Sequence, residues 1–187
     1  MVNSQHDKLK EEFSRAKAYA AEYQGTTPMS HLFNTRLVRV TELLSELKTG
    51  KVLDIGCGPA FIGDKFRDGK IEYYGLDLSQ HMIEECVNHF GVDPQFHFVL
   101  GSIESLPFPD NHFDAFLCLG ALEYIRDEQA AFDEITRVLK PQGLFVVTMQ
   151  NGYSPYRLWQ RFVYWKAKNL FQKINNIFSR PKVNTVP

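Results

Sequence analysis

The sequence predicts an α/β chain built on one doubly wound, mostly parallel sheet with helices on both faces. Three observations predict it. Short apolar runs recur at residues 52–55, 71–76, 96–100, 113–119 and 144–149, the first two ending at glycine or aspartate. Stretches of helical spacing, 80–90 and 127–138, fall between later runs, and the first run passes directly into a glycine turn. Strands alternating with helices pair in parallel, and their ligands lie at the carboxyl ends of the strands where the strand order reverses.

Taken in order, residues 7–23 place Leu9, Phe13, Ala16, Tyr19, Ala20 and Tyr23 at helical spacing, and Gly25 ends the pattern. Thr27 and Pro28 then supply a capping hydroxyl and a first-turn proline for a second helix to about residue 47, with Leu32, Leu37, Val40, Leu43, Leu44 and Leu47 along one side. Residues 1–48 thus form a helical segment ahead of the first strand. The core spans residues 49–150 and contains the five strands, with Ser79 as the cap of the 80–90 helix. Residues 151–187 form a third segment, a basic aromatic helix and tail. The 187 residues suit a single globular domain with one core.

Composition narrows the classes. No apolar run approaches the roughly 18 residues of a membrane-spanning helix, and the charged first residues do not resemble a secretory signal. The expected location is the cytoplasm. Cys57, Cys86 and Cys118 form no C-x-x-C pair, which argues against a disulfide framework or a zinc cluster, and Cys118 reads as core. Seven of the 21 Arg and Lys residues lie beyond position 150, where there is no Asp or Glu, so the main body is acidic and no nucleic-acid partner is expected.

The chemistry concentrates in two motifs. In VLDIGCGPA, Gly56 and Gly58 remove side chains so that backbone N–H groups can approach a ligand, although a ligand-free strand-to-helix turn uses the same residues. Asp54, two residues before the first glycine, sharpens the reading, because a dinucleotide turn has an apolar residue there. A carboxylate suits a cationic ligand. Phe61 also occupies the third glycine position of G-x-G-x-x-G, which weakens NAD as the cofactor. The second motif, YYGLDLS, puts Asp77 at the end of the next strand, 21 positions after Gly56, where a carboxylate accepts from a ribose diol or caps a helix.

VLDIGCGPA, GLDLSQHMI, GSIESLPFPDNHFDAFLCLGALEYI and EITRVLKPQGLFVVT, in that order, resemble the successive motifs of the type 11 family of class I methyltransferases over residues 50–150. The resemblance implies a Rossmann-like sheet, a lid formed by the N-terminal helices, and S-adenosyl-L-methionine bound across the strand tips, with S-adenosyl-L-homocysteine as product. It implies Gly56, Cys57 and Gly58 near the methionine part, beside the cofactor-binding candidate Asp54, with Asp77 on the ribose, Leu78 and Met82 flanking the adenine, Ser102 and Ile103 at its edge and face, and Leu119 and Gly120 along the path to the methyl group. Two departures stand out. Ser102 replaces the family's aspartate at the adenine edge, and Ala60 replaces a common glycine, a mild change while the turn glycines remain.

Methyl transfer from a sulfonium is an in-line displacement, so alignment supplies much of the acceleration and no catalytic triad is required. A general base serves only a weakly acidic acceptor. Glu123 and Tyr124, just beyond the fourth strand, are candidates, as are Tyr19, Tyr23 and His31 if the lid covers the site; surface and packing roles fit each equally well. The position after that strand reads Leu119-Gly120-Ala121-Leu122 in place of an (N/D)-P-P-(Y/F) loop, which disfavours planar amino acceptors. No Pro-Cys nucleophile and no acidic magnesium cluster occurs, which leaves a small-molecule acceptor and no metal.

The family normally closes its sheet with an antiparallel strand pair, for which residues 151–187 offer no candidate. The sequence is either a piece of a longer chain or carries an incomplete sheet. Its aromatic residues interspersed with Arg157, Arg161, Lys166, Lys168 and Lys173 suit peripheral contact with an anionic membrane, an amphipathic substrate, or ordinary packing on the sheet. Three functions stay open: a methyltransferase for a small, hydrophobic or amphipathic acceptor, a catalytically silent cofactor-binding regulator, and an NAD-dependent oxidoreductase, which Asp54 disfavours.

Overall fold

The computed structural model describes residues 25–67 and 69–149 together with Ala21 and Tyr23. The expected helix over residues 7–23 lies almost entirely outside the described residues, and the basic aromatic segment 151–187 wholly so. Five parallel strands form one sheet in the order β3-β2-β1-β4-β5. They are β1 (Thr49–Ile55), β2 (Lys70–Asp77), β3 (Phe96–Leu100), β4 (Phe113–Leu119) and β5 (Leu139–Thr148). The chain moves outward in one direction from β1 to β3 and then crosses to the other side of β1, so the order reverses between β1 and β4.

Among the described residues, the α-helices that accompany the sheet are α1 (Pro28–Leu43), α2 (Gln80–Phe90) and α3 (Glu128–Val138). Each starts on a side-chain oxygen that takes a first-turn N–H: Thr27 from Ser30, Ser79 from Met82 and Asp127 from Ala130. Alternation along the strands separates two cores. On one face Val52, Tyr73, Leu117 and Val146 pack with Val40 and Leu44 of the α1 segment and with Cys86 and Phe90 of α2. On the other, Leu53, Leu76, Phe116 and Cys118 pack with Ala131, Ile135 and Val138 of α3.

Strands β3 and β4 and helix α2 fall on their expected residues. Helix α1 stops at Leu43, ahead of the expected 47, because residues 44–46 turn into the β1 approach. Strand β5 begins five residues before its apolar run: Leu139 pairs with Phe113 and Leu144 with Ala115, and the Lys-Pro-Gln-Gly stretch between them is taken up as an irregularity. A 3-10 turn, Gly63–Phe66, follows the glycine loop and carries no recognisable periodicity.

Candidate functional site at the strand tips

Strand β1 is buried from Val52 onward and delivers the chain to the sheet's switch point as Gly56-Cys57-Gly58. Gly56 and Gly58 both adopt left-handed backbone, with φ of 64° and 53°. A Cβ on Gly56 would lie 2.5 Å from the Ala121 methyl carbon, which puts this turn against the residues that follow β4. Ala60 is also left-handed, at φ 56°, so an alanine where the family commonly has glycine costs about 1 to 2 kcal/mol of backbone strain and is not the mild change expected.

The glycine turn is tied to the end of β2. Gly58 N–H donates to Asp77 Oδ2 at 2.9 Å and Ser79 N–H to Asp77 Oδ1 at 2.9 Å. Each carboxylate oxygen retains lone-pair capacity, since a carboxylate accepts about four hydrogen bonds. Burial pushes the Asp77 carboxyl up, and the backbone N–H groups of Ser79, Gly58 and Leu78 oppose that. The Cys86 thiol lies 3.0 Å from the Gly58 carbonyl oxygen, and the three cysteines Cys57, Cys86 and Cys118 are free and buried.

Asp54 is not open to the ligand edge as its motif position suggests. It is 3% exposed, and its Oδ2 accepts from the Tyr73 hydroxyl at 2.6 Å, while its buried Oδ1 has no partner. Burial pushes its carboxyl up to about 7 against the opposing pull of the Tyr73 hydroxyl and the Arg36 charge. Arg36 comes from α1: Nη1 donates to the Leu119 carbonyl at 2.9 Å and Nη2 to the Tyr23 hydroxyl at 2.9 Å. Tyr23 in turn stacks on Phe33, with centroids 4.5 Å apart, and lies 4.4 Å from the Phe61 ring.

The remaining sequence-derived candidates distribute around the same edge. Gly101 N–H donates to the Asp77 carbonyl at 3.0 Å, which sets Ser102 and Ile103 next to the β2 tip. Ile103 is buried in the α3-side core, whereas Ser102 Oγ lies 3.1 Å from a Glu104 carboxylate oxygen and accepts from Glu104 N–H. Met82 is fully buried and Leu78 is exposed. Gly120 sits beside Arg36, where a Cβ would lie 2.8 Å from Nη1. Glu123 and Tyr124 belong to a 3-10 turn, Leu122–Tyr124, with the Tyr124 side chain exposed. His31 is exposed on α1, and Tyr19 lies outside the described residues.

Arg36, Tyr73 and Thr148 were not singled out by the sequence. Arg36 is a cation on the helical side that carries Phe33, Leu37 and Val40, a signal visible in hindsight; Tyr73 meets Asp54 only through the β1–β2 register. The loop leading from Ser102 to β4 is held by Arg137, whose guanidinium donates to the Leu106 and Phe108 carbonyls, to Asp110 and to Glu134.

A parallel sheet with a glycine turn facing an acidic strand end at its switch point defines an α/β domain that presents a ligand edge along its strand tips. The methyltransferase-domain family of type 11 matches residues 53–147, and the chain belongs to that family. Among curated proteins it is 38% identical over 103 residues to a sterol 24-C-methyltransferase of Aspergillus fumigatus, covering 52% of this chain and 27% of that protein. It is 31% identical over 135 residues to a malonyl-[acyl-carrier protein] O-methyltransferase of Enterobacter lignolyticus, covering 72% and 51%. The chain therefore spans about a quarter to a half of the length of these relatives. A proposed S-adenosyl-L-methionine-dependent methyltransferase of Methanococcus maripaludis shares the fold, with a TM-score of 0.62 at 20% identity over 87% of this chain and 81% of that one.

Proposed function

We propose that the protein binds S-adenosyl-L-methionine across the tips of β1, β2, β3 and β4 and transfers its methyl group to a small organic acceptor. The observation that carries this reading is the hydrogen bond that joins Gly58 of the glycine turn to Asp77, within a chain that belongs to a methyltransferase family. The cofactor supplies a methyl group on a sulfonium, an electrophile that needs no metal for activation. In this reading Gly56, Cys57 and Gly58 bring backbone against the methionine part, with Asp54 behind them. The spare lone pairs of Asp77 take the ribose hydroxyls, Leu78 and Met82 flank the adenine, and Ser102 and Ile103 meet its edge and face. Leu119 and Gly120 border the approach of the acceptor. The buried Asp54 Oδ1 and Arg36 Nε, both without partners, fit a polar ligand at this edge.

We assign no general base. Glu123, Tyr124, His31 and Tyr19 are the side chains to test by substitution, and an acidic acceptor would need none of them. Residues 151–187 are, in this reading, a peripheral contact with an anionic membrane surface, supported by seven basic and no acidic residues. Incubation of the protein with methyl-radiolabelled cofactor and fractionated cell extracts tests the function. Label should move into a small organic molecule, and cofactor binding without transfer to any fraction would favour a silent binding protein.

A further inference from the structure

In the methyl-transfer reading the methionine part lies on the glycine turn of β1 and the ribose on Asp77 at the end of β2, so the base comes over the next strand outward, β3. The chain leaves β3 as Gly101-Ser102. Gly101 N–H donates to the Asp77 carbonyl at 3.0 Å, which holds Ser102 beside the end of β2. Ser102 is half-buried, and an antiparallel bridge to Ser105 closes the turn that follows it.

The Ser102 hydroxyl is held in one role. Its hydrogen goes to Glu104 Oε2 at 3.1 Å, and Glu104 N–H donates back to Oγ at 3.3 Å. A hydroxyl has one hydrogen and two lone pairs, so one lone pair is left over. The Glu104 carboxylate is fixed from its other side, where Oε1 accepts from Arg126 N–H at 2.9 Å and from Asp127 N–H at 3.2 Å, at the start of α3. Burial acts to raise the Glu104 carboxyl, and those two N–H groups with the Ser102 hydroxyl outweigh it, so the carboxyl is held below the usual range. Glu104 is therefore ionised at neutral pH and can only accept. Since Oε1 is taken by two backbone donors, Oε2 keeps the Ser102 hydrogen, and Ser102 offers an approaching base a lone pair and no hydrogen.

We propose that Glu104 is a specificity-determining residue that acts through Ser102, making the end of β3 an acceptor-only edge that selects a 6-aminopurine over a 6-oxopurine. The inference rests on the methyl-transfer reading, because that reading puts the base over β3. A 6-amino group donates to the spare lone pair of Ser102, whereas a 6-oxo group meets it oxygen to oxygen with no hydrogen between them. Glu104 does not touch the ligand and is a positioning residue. Exchanging its carboxylate for an amide reverses the arrangement. In Glu104→Gln the amide oxygen takes the Arg126 and Asp127 N–H groups, the amide NH2 donates to Ser102 Oγ, and the hydroxyl hydrogen is released to the base.

The test is calorimetric titration of the full chain with S-adenosyl-L-homocysteine and with S-inosyl-L-homocysteine, in which the 6-amino group is replaced by a 6-oxo group. The unaltered chain should bind the adenosyl compound at least roughly tenfold more tightly. Glu104→Gln should weaken the adenosyl compound and bind the inosyl compound at least roughly threefold more tightly than the unaltered chain does. Ser102→Ala has no hydroxyl to orient, so it should lower the preference, and Glu104→Gln added to it should change the preference no further. A gain for the inosyl compound is a result that misfolding cannot produce, and its absence in Glu104→Gln overturns the inference. A purely structural role for Glu104 would weaken both ligands alike, with or without the Ser102 hydroxyl, and that result overturns it too. Equal affinity of the unaltered chain for the two ligands overturns the inference while leaving the cofactor reading intact. Failure of the unaltered chain to bind either ligand overturns the methyl-transfer reading and the inference with it.

Discussion

Replacing Asp54 by Asn should stabilise the ligand-free protein at neutral and alkaline pH while leaving it unchanged in acid. In the folded protein burial raises the Asp54 carboxyl from 3.8 to about 7. The folded state therefore holds the proton over a range in which the unfolded chain has already lost it. Stability contributed by this group is fully present below about pH 4, declines as pH rises towards 7, and stays low above it. About three pH units at about 1.4 kcal/mol each gives about 4 kcal/mol as the cost of the ionised form above pH 7. Asparagine cannot ionise and still accepts from the Tyr73 hydroxyl. Urea denaturation of both proteins from pH 5 to 8.5 reads the difference directly, since all other titrating groups cancel. The advantage of the variant should grow with pH and level off near 7. A difference independent of pH across this range would refute the burial account of Asp54. The same variant should bind S-adenosyl-L-homocysteine more weakly at pH 8, because it removes negative charge from behind the glycine turn of a site read as receiving a cationic group.

Four further outcomes follow from the geometry. Tyr73→Phe removes the hydrogen bond to the Asp54 carboxylate and should cost about 1 to 3 kcal/mol at pH 8 in chemical denaturation, with a smaller loss at pH 5 where the carboxyl is protonated. Asp77→Ala should weaken S-adenosyl-L-homocysteine binding by about 2 to 3 kcal/mol in calorimetry, because it removes a charged acceptor and also frees Gly58 N–H. Gly58→Val should lower the melting temperature as well as cofactor affinity, since a β-branched residue is forced to φ near 53°; unchanged melting would contradict the turn geometry. The full chain should cosediment with phosphatidylglycerol vesicles at low salt, and a chain ending at Gln150 should not, with attraction of about 1 kcal/mol per basic residue near the surface; equal sedimentation of the two would remove the membrane role from residues 151–187.

Much of the fold was legible because the inner strands β1 and β4 are buried along most of their length and run into glycine at the strand tips. The glycine turn and Asp77 announced the ligand edge, and Ser79 announced α2 through its cap. What stayed hidden depends on register. Asp54 meets Tyr73 only once β1 and β2 are aligned, so its carboxylate looked open when it is buried against a phenol. Arg36 and Thr148 come to Leu119 from a helix and from a strand more than 110 residues apart, and neither belongs to a motif. The left-handed turn at Ala60 was invisible for a different reason, since a single residue type does not disclose a positive φ that its neighbours impose. Strand β5 was read too short because Pro141 and Gly143 look like a loop, whereas the sheet absorbs them as an irregularity at its edge.

The central claim is that the strand tips form an S-adenosyl-L-methionine site. Parallel calorimetric titration of the full chain with S-adenosyl-L-homocysteine and with NADH tests it most directly. The account predicts saturable binding of S-adenosyl-L-homocysteine, weakened in Asp77→Ala, and no heat from NADH. Binding of NADH without binding of S-adenosyl-L-homocysteine would contradict it.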